Sequence, residues 1–298
     1  MNSKPHLCVF NSKLAAMFAL GCLALACGSN DPTGSGGEGT LSFTTWGEGY
    51  IEDEIPADPD GGFVDGWSLK YEKFLVNFQN IRVADAKGDV AASMDGSMLF
   101  DNHVKDIKTI IDFDHLEAKA WNEVSYEIAP VTDDTELSGS ASEADKQLMI
   151  DGGYSLYVEA TAEKDDVTKH FAWGFAIGTK YSNCHSDQNG REEYGVIVTN
   201  NGDLEVQLTT HGDHLYYDRL QASPDPAVVT SLRFDALAAA DADEDGELTL
   251  EELDAEPIDV RLYDPSGLRA TTHGAFVTQL ARTVGHFRGE GECNISHL

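Results

Sequence analysis

The 298-residue chain is 41% hydrophobic and 9% aromatic, so it has enough apolar side chains for a buried core, and a wholly disordered protein is excluded. Its 52 acidic residues outnumber 20 basic ones and leave a formal net charge of −32, a surface that repels nucleic acid and argues against a nucleic-acid partner. No apolar run approaches the ~20 residues that a membrane-spanning helix needs, which excludes a polytopic membrane protein.

The N-terminal segment predicts export. Residues 1–26 contain Lys4 and Lys13 but no acidic residue. The apolar run over residues 14–26 has the length of the hydrophobic region of a secretory signal. We therefore predict a signal peptide over residues 1–26.

The segment Leu-Ala-Leu-Ala-Cys that ends at Cys27 resembles the lipobox of bacterial lipoproteins, in which a small residue precedes a cysteine that is lipidated. The resemblance implies a lipid anchor at Cys27, a flexible Gly/Ser-rich tether over residues 27–40 and a lipid-anchored protein of the bacterial cell envelope, in the periplasm or at the outer membrane or cell surface. Cys22 is a second candidate for lipidation. A plain secretory signal with an incidental cysteine is the alternative.

Export also bears on the remaining cysteines. Cys8 and Cys22 would be removed with the signal peptide, and Cys27 would carry lipid. Cys184 and Cys293 are then left as a pair in an oxidising compartment, which predicts one disulfide between the middle of the chain and its C-terminal region. Two free thiols or soft-metal ligands are the alternative.

Hydrophobic and polar residues alternate along much of the chain, as in half-buried strands. The period-two pattern begins at about Leu41, and such runs occupy residues 74–83, 121–128, 154–158, 171–177, 196–198 and 204–208. The alternation changes phase at Asn80, which predicts a β-bulge. The last two runs flank the turn residues Asn-Asn-Gly-Asp at 200–203, which predicts a β-hairpin.

These runs are separated by turn residues and not by regular helical crossovers, so we predict a mainly β fold, an antiparallel β-sandwich or barrel-like domain over residues 41–223. Trp67, Trp121 and Trp173 lie within or beside the runs. We expect these rings in the core, with a sugar-binding platform as the alternative.

Two later segments are typical of helices. Residues 227–240 follow Pro226 and contain an alanine run, and residues 275–284 place apolar side chains four apart, as an amphipathic helix does. We predict a helix–loop–helix insert over residues 224–257, and a C-terminal segment over residues 258–298 that packs on the β-domain through the amphipathic helix.

Residues 241–252 read Asp-Ala-Asp-Glu-Asp-Gly-Glu-Leu-Thr-Leu-Glu-Glu and resemble the calcium loop of the EF-hand family. Calcium prefers six to eight oxygen ligands, and the resemblance implies Ca²⁺ as the cofactor. The implied ligands are the side chains of Asp241, Asp243, Asp245 and Glu252, the backbone carbonyl of Glu247, and Thr249 directly or through water. A solvated acidic loop is the alternative. EF-hands commonly work in pairs, but the sequence contains no second loop, and a weak affinity class of roughly 10⁻⁴–10⁻³ M is expected.

A weaker pattern follows the run at 204–208. His211 and His214 are three residues apart, and they could share a transition metal with His170 or Asp218, or provide acid–base catalysis. Histidines at strand ends making ordinary hydrogen bonds to the backbone are the alternative.

Together these patterns predict a calcium-binding, exported cell-envelope lipoprotein without enzymatic activity, in which calcium is structural. The partners implied are calcium and a membrane bound through the lipid, and the sequence does not specify a protein or glycan partner. Two alternatives stay open: a transition-metal-binding protein or metalloenzyme that uses His211 and His214, and a calcium-stabilised module that binds glycans or surfaces.

Overall fold

A computed structural model describes residues 36–220 and 228–298. The predicted signal peptide, Cys27 and most of the predicted tether lie outside the described residues. The strands are β1 Glu38–Gly47, β2 Ser68–Ala84, β3 Val90–Ser93, β4 Ser97–Asp101, β5 Lys108–Glu117, β6 Ala120–Trp121, β7 Glu123–Ile128, β8 Glu136–Leu137, β9 Leu156–Lys164, β10 Val167–Phe175, β11 Thr179–Asp187, β12 Glu192–Tyr194, β13 Val196–Ile197, β14 Asp203–Thr210, β15 Gly285–Phe287 and β16 Glu292–His297. The α-helices are α1 Gly49–Glu52, α2 Glu143–Gly152, α3 Asp235–Ala238, α4 Leu250–Ala255 and α5 His273–Leu280.

Within the described residues, the strands form three open sheets. The small sheet has the order β15-β14-β1-β5, and the large sheet has the central order β10-β9-β2-β7-β11-β12, with β3, β4, β8 and β16 paired to its members. Strand β6 pairs with β13. The mainly β, sandwich-like fold is confirmed, and because the sheets do not close, it is not a barrel.

The small and large sheets share one hydrophobic core. Leu41 and Phe43 alternate on β1, Phe74 and Phe78 lie on β2, and all four side chains are fully buried in one cluster. The period-two pattern places these residues on one face of each strand. Burial of this apolar surface between the sheets is the main contribution to the stability of the fold.

The opposite face of β2 packs against a second, smaller hydrophobic cluster. Leu75 is fully buried in a second cluster with Leu99 of β4 and Met149 of α2. Ser142 caps α2 in a capping box with Asp145, and Asp145 also pairs with Lys73 of β2. The cap and the ion pair hold α2 on this side of the large sheet.

The predicted bulge at Asn80 is present. Asn80 has a φ of 52°, and the pairing of β2 with β7 shifts register between Gln79 and Arg82. An inserted residue of this kind moves the following side chains to the other phase of the strand. The change of alternation that the sequence shows at this point therefore has a structural cause.

The predicted hairpin over residues 196–208 is wrong. The turn forms, with Asn201 at a φ of 52°, but β13 pairs with β6, whereas β14 pairs in parallel with β1 and antiparallel with β15. The Asn201 amide donates to Glu38 O, and the Thr40 amide donates to Gly202 O, so the turn connects to β1. Alternation identifies strands but does not specify their partners. The remaining strand pairs are antiparallel, apart from the parallel pair of β4 and β8.

Of the helix predicted over residues 227–240, the described residues 228–240 form only α3. Residues 228–234 are not helical, and Leu232 makes single bridges to Phe63 and Tyr217. The Asp65 carboxylate accepts the first amides near α3, from Phe234 at 2.7 Å and from Asp235. Consecutive β-branched residues before this point disfavour a helix.

The predicted C-terminal helix is present as α5, with a 3₁₀ turn over Ala281–Thr283. The segment after it does more than pack on the β-domain, because β15 joins β14 in the small sheet and β16 joins β11 in the large one. Strand β1 begins at Glu38, inside the predicted tether. Across the described ranges, none of the helices combines the length and apolar character needed to cross a bilayer.

The predicted disulfide is confirmed, since Cys184 of β11 bonds to Cys293 of β16. The pairing crosslinks two neighbouring strands of the large sheet, and Cys184 is fully buried in the main core. Trp67, Trp121 and Trp173 are also buried, at most 6% exposed. These three rings are therefore core residues, as expected.

Candidate metal sites

The acidic loop, residues 241–252, follows α3 and includes the first turn of α4, and it is anchored by apolar side chains. Leu237, Leu248 and Leu253 are at most 1% exposed and belong to the main core. Gly246 has a φ of +89°, a left-handed conformation that glycine adopts without steric cost. The loop is thus tightly turned at Gly246 and attached to the core through its leucines.

Strand β10, at the edge of the large sheet, forms backbone hydrogen bonds with the acidic loop. The His170 amide donates to Gly246 O at 2.8 Å, and the Leu248 amide donates to His170 O at 2.7 Å. The indole Nε1 of Trp173 donates to Leu248 O at 2.8 Å. These bonds satisfy some of the backbone groups at the open edge of the sheet, and they attach the acidic loop to β10.

Three carboxylates of the acidic loop converge. One oxygen each from Asp241, Asp243 and Glu252 lies within 4.8 Å of the others. Asp241 Oδ2 accepts the Gly246 amide at 3.0 Å and pairs with the Lys169 ammonium. Asp241 Oδ1 is buried and has no hydrogen-bond partner among the described residues. The oxygen left without a partner is the one available to bind a cation.

Glu252 is held by the start of α4. The Ala242 amide donates to Oε1 at 3.1 Å, and the Thr249 amide and hydroxyl donate to Oε2 at 2.9 and 2.8 Å. These bonds from Thr249 lower the pKa of Glu252, and the Lys169 ammonium lowers the pKa of Asp241. Both groups are therefore ionised at neutral pH, which is the form that binds a metal.

The other predicted loop ligands make different contacts. Asp245 lies outside the group of three, and its Oδ1 accepts the Glu247 amide at 2.8 Å. The Thr249 hydroxyl caps α4, in a reciprocal capping box with Glu252. Glu247 lies opposite His170 in a backbone bridge whose hydrogen bonds are made by Gly246 and Leu248. Sequence reasoning did not identify Lys169, which comes from a strand far from the loop in the chain.

The predicted second group does not assemble as proposed. His170 lies on β10 beside the acidic loop, where its Nδ1 is 3.0 Å from Thr161 Oγ1. Asp218 accepts the Nε–H of Arg219 at 3.0 Å and faces Arg233 Nε at 3.5 Å, so its charge is already neutralised. Neither His170 nor Asp218 belongs to the group that His211 and His214 form.

His211 and His214 do lie together, and the third ring beside them is His286 of β15. The sequence pattern did not assign His286 to this group. The pairing of β15 with β14, in which Thr209 is opposite His286, brings His286 next to His211 and His214. The local sequence Gly-His-Phe carries no signal for that partner.

Comparison of the chain with protein-family models, with curated proteins and with solved structures returns no match.

Proposed function

We propose that the chain binds one calcium ion in the acidic loop. The observation that carries the proposal is the convergence of the Asp241, Asp243 and Glu252 carboxylates, with Asp241 Oδ1 buried and unpartnered. Hard oxygen ligands in a flexible loop are what Ca²⁺ prefers. The resemblance of residues 241–252 to the EF-hand loop supports the same ion.

Electrostatics supports a divalent ion at this point. Lys169 supplies a single positive charge against Asp241, whereas Asp243 and Glu252 have no basic partner among the described residues. Carboxylates held this close repel one another, and a divalent cation converts that repulsion into attraction. The free energy of ion binding therefore adds directly to the stability of the loop.

We further propose that calcium has a structural role. The loop bonds to the edge strand β10 at His170, and α3 is tied to the same region because Asp235 accepts Trp67 Nε1 at 2.7 Å and pairs with Lys164 of β9. An ion bound to both ends of the loop closes it against β10. The chain is then a calcium-stabilised β-domain and not a calcium sensor that opens.

Hydrogen exchange tests this role. Adding Ca²⁺ to the metal-free protein is expected to slow exchange in peptides that cover residues 241–253 and the His170 amide. The Gly246 amide is bonded to Asp241 within the loop, and the Leu248 and His170 amides are bonded between the loop and β10, so an ion that holds the loop protects all three. A peptide from β5 serves as the control and is expected to exchange equally with calcium and with chelator. Equal exchange of the loop in both conditions would contradict the proposal.

We propose that the protein is exported and lipid-anchored at Cys27. The support is the signal-like segment before Cys27 and the start of the folded sheet at Glu38, which leaves a short Gly/Ser-rich connection between them. One lipidated cysteine on such a connection would place the domain next to a membrane without a spanning helix.

Fractionation of a bacterial host tests the anchor. The wild-type protein is expected in the membrane fraction, and the Cys27→Ser variant is expected in the soluble envelope fraction because it lacks the lipidated thiol. Cys22→Ser is the matched control and is expected to fractionate like the wild type. A Cys27→Ser variant that stays with the membrane, or a wild-type protein that does not, would overturn this part of the proposal.

A further inference from the structure

The geometry points to a second metal site, formed by the imidazoles of His211, His214 and His286, that takes a borderline transition ion such as Zn²⁺. One ring nitrogen of each lies within 4.8 Å of the others. This imidazole cluster shares no residue with the acidic loop, and the inference does not rest on calcium binding.

Backbone pairing places the three rings. His211 follows the last residue of β14, and its amide donates to Val284 O at 2.8 Å. His214 lies on the 3₁₀ helix Asp213–Tyr216 that comes next, and His286 lies on β15 opposite Thr209 of β14. A sheet edge and the turn that follows it therefore hold the rings, and rigid elements of this kind are suited to hold ligands.

The rings are packed against one another. The His211 and His286 centroids are 4.0 Å apart with the rings nearly stacked, and the His214 centroid is 5.3 Å from His211 and 4.8 Å from His286. In a tetrahedral zinc site with Zn–N bonds of ~2.0–2.1 Å, ligand nitrogens lie about 3.3 Å apart. The three nitrogens lie within 4.8 Å of one another, so binding an ion would require them to move closer and the stacked His211 and His286 rings to open.

The cluster also contains a polar atom without a partner. His286 is 7% exposed, and its buried Nδ1 has no hydrogen-bond partner among the described residues. A buried nitrogen of this kind costs free energy unless something binds it. His214 Nδ1 is 2.9 Å from Thr283 Oγ1, which leaves its Nε2 out of that bond.

Two of the three rings are buried enough for desolvation to lower their pKa values. Burial, together with the neighbouring His211, lowers the pKa of His286 to about 3. Burial, together with the neighbouring His286 and His211, lowers the pKa of His214 well below its ordinary value.

Two carboxylates, those of Glu48 and Glu290, lie beside the imidazole cluster. His211 Nε2 is 2.9 Å from Glu48 Oε1 and 3.3 Å from Gly289 O, and Glu48, His211 and Glu290 form an overlapping group within 4.8 Å. A carboxylate that holds one nitrogen of an imidazole orients the ring and makes it a better metal ligand. Glu48 would have this role for His211, and Glu290 would supply negative charge beside the ion.

The cluster is reached from solvent. A groove of about 720 Å³ is lined by His214, His286, Tyr217 and Glu290. An ion held by three imidazoles keeps a coordination position for water or an anionic ligand, and the groove gives that position access. Calcium would not fill such a site, because nitrogen ligands suit zinc, copper and nickel and not a hard oxygen-seeking cation.

Zinc titration of the metal-stripped protein in saturating Ca²⁺ tests the inference, since calcium keeps the oxygen-rich acidic loop occupied. One Zn²⁺ per chain is expected. His214→Gln and His286→Gln are each expected to weaken it at least about tenfold, because loss of the groups that merely orient metal ligands already costs about 10–100-fold. Calcium titration of each variant reports whether it remains folded.

Two substitutions serve as controls. His115 is exposed and paired with Glu38, and His297 lines the same groove outside the cluster, so His115→Gln and His297→Gln are expected to bind zinc like the wild type. Zinc binding that survives His214→Gln and His286→Gln, or that is lost with the controls, would overturn the inference. If the cluster variants do not fold, Co²⁺ added to the wild-type protein decides: the intense visible absorption of tetrahedral cobalt is expected, and a weak octahedral spectrum would contradict the site.

Discussion

Replacing both Cys184 and Cys293 by alanine is expected to lower the free energy of unfolding by about 2–5 kcal/mol. The disulfide closes a loop with a sequence separation of 109, so it restricts the unfolded chain strongly. It also joins β11 to β16, a strand whose side chains are mostly exposed and which has little core of its own. Urea unfolding at constant Ca²⁺ measures the change.

A reductant supplies the control for this prediction. It is expected to lower the urea midpoint of the wild-type protein and to leave the midpoint of the double alanine variant unchanged. An alanine variant as stable as the oxidised wild type would show that the crosslink contributes nothing to the fold.

Glu252→Gln is expected to weaken calcium binding by at least about tenfold, which corresponds to about 1.4 kcal/mol. The substitution removes the charge of the carboxylate that closes the loop while keeping the size of the side chain. Gln keeps one oxygen that can accept the Thr249 amide and hydroxyl, but its NH2 group cannot accept the Ala242 amide, so the variant loses that hydrogen bond as well as the negative charge that attracts the ion. Isothermal titration with CaCl₂ measures the dissociation constant.

Glu251→Gln is the matched control, because it removes the same charge one residue earlier on α4 from an exposed side chain outside the converging group. Its calcium affinity is expected to stay within about twofold of the wild type, because surface charges are screened. Equal losses for both variants would indicate a general effect of net charge and would contradict the specific role of Glu252.

Much of the fold was predictable because its signals are local. Alternation identified β2, β10 and β14, and the phase change at Asn80 identified the bulge. The cysteine pair was predictable by counting, since the predicted export leaves only two candidates. Each of these inferences uses residues close together in the chain, or a chemical rule that does not depend on which strands meet.

Strand partners were not predictable in the same way. The run at 204–208 looked like the second strand of a hairpin, yet β14 lies between β1 and β15. Any neighbouring strand that covers the apolar face of a strand stabilises it, so the alternating pattern alone does not specify which strand is the partner. The short strands β15 and β16 were missed because three to six residues carry too little periodicity.

The two candidate sites differ in how much of each the sequence predicted, and the reason is again that local patterns are visible while strand partners are not. The acidic loop takes its converging carboxylates from one contiguous stretch, so its pattern was visible in the sequence. The imidazole cluster takes His211 and His214 from one turn but His286 from β15, and the sequence alternative included His170 and Asp218 instead. Lys169 of β10, which pairs with Asp241, was missed for that reason as well.

A crystal structure of the protein grown with millimolar Ca²⁺ and recorded for anomalous scattering would test calcium binding most directly. The proposal predicts one anomalous peak in the loop at residues 241–252, with oxygens of Asp241, Asp243 and Glu252 at ~2.3–2.6 Å from the ion. A loop that stays empty at that concentration, with Lys169 as the only cation against Asp241, would contradict it.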